Sequence, residues 1–209
     1  MAALRIKSQW YQSGTPKTPQ QTASAMAFIV WRLTQNMLKQ MREAGFDIDV
    51  GAQYFAFMRE VLVFLCQVVD RMAHARMDAA QRTEFTNALV HRVAEVLEES
   101  EDNLMGAPAA ALQGHGAEFI DLVNTLAEHY AEFGFGPLGP DFAFLRYFGY
   151  RIEALMPPKD RRWVTDQVMA IEAPQALAHL ERSMRSLLST EPRPQRPPRV
   201  RRAAGSDPQ

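Results

Sequence analysis

Five histidines, one cysteine and 24 carboxylates are the side chains here with the most chemistry to offer. In a helical protein the first reaction they suggest is di-metal carboxylate chemistry. That needs Glu-x-x-His pairs from two helices and a further carboxylate from each of two others, all facing inward. No Glu-x-x-His spacing occurs. His74 shares a helical face with Gln67, Asp70 and Arg71, and His91 with Glu84, Asn87, Glu95 and Glu98. His129 falls with Asp121, Thr125 and Glu128, and His179 with Glu172, Gln175, Arg182 and Ser186. These are polar faces, where solvated side chains belong. Asp70/His74 and His91/Glu95 stand four apart, but a zinc site takes three or four ligands. As surface electrostatics such pairs contribute a few tenths of a kcal/mol. No metal and no cofactor is expected.

Three further residues complete the chemical inventory. His115, in Gly114-His-Gly116, reads as a loop histidine, and loops carry function disproportionately. No catalytic role is expected of it. Glu60 lies between Phe57 and Phe64 on an apolar stripe. Buried, it would need a partner or a proton; an edge position with the carboxylate reaching outward is the expectation. Cys66, the only cysteine, ends the apolar run Val61–Cys66 and reads as an inert buried thiol. It leaves no internal disulfide and no cysteine-based zinc cluster, and it fits a reducing, cytoplasmic setting. The phosphate loops GxGxxG and GxxxxGK[ST] are absent, as are GxSxG and HExxH. The reading leans away from an enzyme.

The elements that must position these residues are helical throughout. The stretch to Lys17, with Trp10-Tyr11, has no register and reads as an irregular arm. Thr18-Pro19-Gln20-Gln21 is a helix start with a capping-box partner, followed by Met26, Ile29, Val30, Leu33, Met37 and Met41 and ended by Gly45. Asp47 or Asp49 would cap a second helix over about 49–76, whose apolar residues cover more than half its circumference and make it the central one. Asp78 with Gln81 starts a third, about 80–104; residues 105–116 form a loop. A fourth follows over about 117–133 and a fifth from Asp141 to Met156, stopped by Pro157-Pro158. The sixth, about 159–172, ends before Pro174, and a seventh runs to about Ser189. The longest apolar run is far short of the roughly 20 residues of a membrane span, and no signal-like core opens the chain.

Five Phe and two Tyr crowd the segment Phe133–Tyr150. Phe144, Phe148, Ile152 and Leu155 form one stripe, and Tyr130 and Phe133 end another across a short Gly/Pro turn. This is the seam of an aromatic helical hairpin over about 117–156, since exposed stacking rings would be interleaved with Lys and Arg. Phe57, Phe64, Tyr130, Phe144 and Phe148 would instead line an apolar cavity if the bundle enclosed one. Phe135 and Leu138 lie inside the turn and need not be buried, so they are candidates for docking a partner, together with Trp10 and Tyr11.

The domain division is an arm over 1–17, an all-α domain of six or seven helices over 18–189, and a tail over 190–209. The tail carries five Arg (193, 196, 199, 201 and 202) and five Pro, for a net +3, against −4 for Met1–Ser189. With so few apolar residues it should be disordered. It solubilises the protein or makes a weak electrostatic contact with nucleic acid or an anionic surface. The functional expectation is a non-catalytic interaction module, an adaptor, assembly chaperone or complex subunit, binding another protein or a second copy of itself. The alternative is a bundle holding a small molecule in an apolar cavity.

Overall fold

The computed structural model describes residues 17–106 and 114–189; its helical body runs from Lys17 to Leu188. Trp10, Tyr11 and the arginine-rich tail lie outside the described residues. In order come α1 (Pro19–Glu43), α2 (Ala52–His74), α3 (Ala79–Met105) and α4 (His115–Ala131). Two short strands follow, β1 (Phe135–Gly136) and β2 (Gly139–Pro140), then α5 (Phe142–Leu155) and α6 (Pro158–Gln167). A π-helical turn (Val168–Glu172) leads into α7 (Ala173–Leu188). The fold is the expected all-α bundle with an apolar central helix and an aromatic hairpin.

Local signals explain most helix starts. The Thr18 hydroxyl accepts from the Gln21 amide and the Gln21 side chain accepts from the Thr18 amide, a complete capping box. Asp78 accepts from the Gln81 amide at 2.8 Å. The second helix departs from expectation. Its cap is Gly51, at φ 114°, and neither Asp47 nor Asp49 caps it. Asp47 pairs instead with Lys159 at 2.9 Å, and the Asp49 amide bonds the Gln53 side chain at 2.8 Å. The Asp47 carboxylate is taken by a partner 112 residues away and so is not free to cap.

Two other boundaries moved. The Ala173 amide donates to the Val168 carbonyl, five residues back, so the backbone passes Pro174 without stopping. A proline lacks the amide that would continue an α-helical ladder; a wider π turn just ahead of it absorbs the mismatch. The expected sixth and seventh helices are therefore one continuous rod. The turn between α4 and α5 is a hairpin, with Phe135 paired to Pro140 and Gly136 to Gly139.

Helix α2 packs on α1, α3, α4, α5 and α7. It is long and apolar enough to cross a membrane, but most of it is buried inside the bundle. Each large apolar side chain so buried contributes roughly 1.5–3 kcal/mol. Gly149 is buried facing α6: a Cβ there would come within 2.9 Å of the Thr165 methyl.

Candidate functional site

The hairpin between α4 and α5 is built by one residue, Asp141. Its Oδ1 accepts from the Phe144 amide at 2.8 Å, capping α5, and its Oδ2 accepts from the Gly134 amide at 2.8 Å. Its own amide donates to the Gly134 carbonyl at 2.9 Å. Gly139 takes φ 102°, a region that glycine enters without Cβ strain, and turns the tip. Phe135 is half-buried, its ring edge-on to Phe144 at 6.0 Å. Leu138, between Pro137 and Gly139, is 103% exposed. Phe142, the first residue of α5, is 72% exposed. Of the two turn residues expected to dock a partner, one anchors the hairpin and the other projects from it. Phe142 was missed although the sequence marks it: it stands off the Phe144–Phe148–Ile152 stripe.

Beneath the hairpin the rings pack on one another. Phe64 stacks on Phe148 with centroids 3.9 Å apart, Tyr130 lies 4.7 Å from Phe144, and Phe57 is fully buried. Glu60 is not at an edge. It is buried and gripped by Arg151 of α5, whose Nε donates to Oε2 at 3.0 Å while Nη2 donates to Oε1. That bond raises the Arg151 guanidinium further. Burial, and after it the Glu60 charge, pushes the Tyr130 phenol well above its ordinary value. Tyr147 lies beside this pair and shares a 2.8 Å bond with Nδ1 of His129.

A second polar cluster joins α2, α3 and the start of α4. His115 is not in a loop; it opens α4 and is partly buried. Its Nδ1 lies 3.6 Å from Glu101 and 3.8 Å from Glu118, and its Nε2 3.7 Å from Asp102. Arg59 donates to Glu101 at 2.7 Å and sits among these groups as their internal cation. Glu98 lies against Gly114 and Gly116, where a side chain would collide with its carboxylate. The glycines are there for close approach. Among the described residues no group of three or more His, Cys, Asp or Glu is arranged to hold a metal ion.

A cleft of about 370 Å³ opens between α2, α3 and α4. Cys66, Gln67 and Asp70 come from α2, Thr86, Asn87 and His91 from α3, and Asn124 from α4. Asp70 is held by Arg82, through Nε at 2.9 Å and through Nη2, and by the Thr86 hydroxyl at 2.7 Å. Burial, reinforced by Asp70, pushes the Cys66 thiol up to about 12, so it stays protonated and unreactive. None of the rings expected to line an apolar cavity borders this cleft.

His74, His91, His129 and His179 are exposed on polar faces. No family model matches the chain, and neither a curated protein nor a solved structure matches it.

Proposed function

We propose that this chain is a non-catalytic helical protein that docks on another polypeptide through its α4–α5 hairpin. The observation that carries the reading is Leu138, wholly exposed at the tip of a turn that three Asp141 hydrogen bonds and the Phe135 ring hold in place. A single exposed leucine is ordinary. An exposed leucine on a braced, protruding turn is a preorganised anchor, because little conformational freedom remains to be lost on binding. The partner's surface is an apolar groove that receives Leu138, with Phe142 available at the base of the same turn. A thiol held protonated and the Glu60, Asp70 and Glu101 carboxylates met by arginines support binding over catalysis.

The test is a photo-crosslinking residue placed at position 138, with a control at exposed Arg32 on α1, in the cells that make the protein. Position 138 should capture a defined polypeptide that position 32 does not, and Phe142→Ser should reduce that capture severalfold at unchanged melting temperature. Equal labelling from both positions would defeat the reading. A crosslink to a second copy of the chain would replace a foreign partner with self-association.

A further inference from the structure

The cleft between α2, α3 and α4 supports an inference independent of the hairpin. Its volume, about 370 Å³, falls among those of small-molecule sites, roughly 300–1,000 Å³. Apolar surface comes from Val90, Ile120, Val123 and Ala127. Hydrogen-bonding capacity comes from the carboxamides of Gln67, Asn87 and Asn124 and from the His91 ring. Gln67 is half-buried and the other three are exposed; among the described residues none of these four side chains bonds another protein group. Each carboxamide carries an acceptor beside two donors.

Charge narrows the ligand. The carboxylate in the cleft, Asp70, is already met by Arg82 and Thr86, and Arg82 is committed to it. An anion entering would find no uncommitted Lys or Arg among the lining residues, and a cation would compete with Arg82. A neutral molecule suffers neither cost. Side-chain amides pair best with an edge that offers a donor next to an acceptor, as Asn and Gln do with adenine, and a planar nitrogen ring carries such an edge.

We propose that this cleft binds a neutral nitrogen heterocycle of the nucleobase type, packed against Ile120 and Ala127, with its edge bonded to Gln67, Asn87 and Asn124. No bond is made or broken there. A phosphate on the ligand adds nothing to affinity, since nothing lining the cleft would receive it.

The experiment is a ¹⁵N–¹H titration of the full chain with adenine, uracil and nicotinamide, and with adenosine, its 5′-monophosphate and toluene as comparisons. The side-chain amide signals of Gln67, Asn87 and Asn124 should move together and saturate with at least one heterocycle. The monophosphate should bind no tighter than adenosine, and toluene should leave the three signals in place. Asn124→Leu should weaken binding about tenfold, the effect of leaving one ligand group unpaired, without lowering the melting temperature; should that variant fail to fold, Asn87→Ala gives the same readout. No saturable movement with any of the three heterocycles would overturn the proposal. So would equal effects from toluene, or undiminished binding by the folded variant.

Discussion

Helix α2 has two neighbourhoods that treat its polar residues in opposite ways. Toward α5 it presents Phe57, Glu60 and Phe64, and everything there is consumed: Phe64 stacks on Phe148 and both Glu60 oxygens are taken by Arg151. Toward the gap between α3 and α4 it presents Cys66, Gln67 and Asp70, where only Asp70 is consumed. The seam uses polarity to fix how two helices meet. The cleft leaves the half-buried Gln67 amide without a protein partner.

The largest expected effect lies on the seam. Arg151→Met strands a buried carboxylate and should cost about 3 kcal/mol of unfolding free energy. The double change Glu60→Leu with Arg151→Met removes both charges and should recover most of that loss, as apolar replacement of ion pairs often does. Chemical denaturation of the two variants measures both quantities. A single change that costs under about 0.5 kcal/mol, the range of a surface position, would erase the contrast with the cleft.

Glu172, on the π turn, stands between the two cases. It is buried but bonded only to Gln167, at 3.0 Å. Burial raises its carboxyl above the ordinary 4.5, and the Gln167 bond lowers it in part. The folded protein therefore holds this proton to higher pH than the unfolded chain does. The stabilisation is complete below the unfolded value and is lost as pH rises through the folded one. Glu172→Gln keeps the hydrogen bonding without the charge, so it should melt above wild type near neutral pH and converge with it in acid. Melting curves that stay parallel from about pH 4 to 8 would show that Glu172 does not carry the difference.

What could be read in the sequence was whatever neighbours within a turn decide. Thr18 with Gln21, Asp78 with Gln81, and the stripe Phe144–Phe148–Ile152 each state their role within a few residues. The apolar circumference of α2 was legible for the same reason. Glu60 was misjudged because its partner is 91 residues away. The glycines flanking His115 suggest flexibility in the sequence, while in the fold they make room for Glu98 from another helix. Pro174 reads as a stop because its missing amide is visible in the sequence, whereas the π turn that absorbs it is not. The cleft takes residues from three helices, and no window of sequence contains it.

The smallest expected effect would sharpen the comparison most. Gln67→Met keeps length and removes the amide from the floor of the cleft. If Gln67 is uncommitted, nothing in the fold loses a hydrogen bond, and unfolding free energy should change by less than about 0.5 kcal/mol. The same swap at a structurally bonded, half-buried amide would strand its partner and cost about 1–3 kcal/mol. A loss of that size would mean that the fold itself uses Gln67, and the cleft would become a second seam. A change near zero would leave Gln67 as a polar side chain on the central helix whose use lies outside the fold.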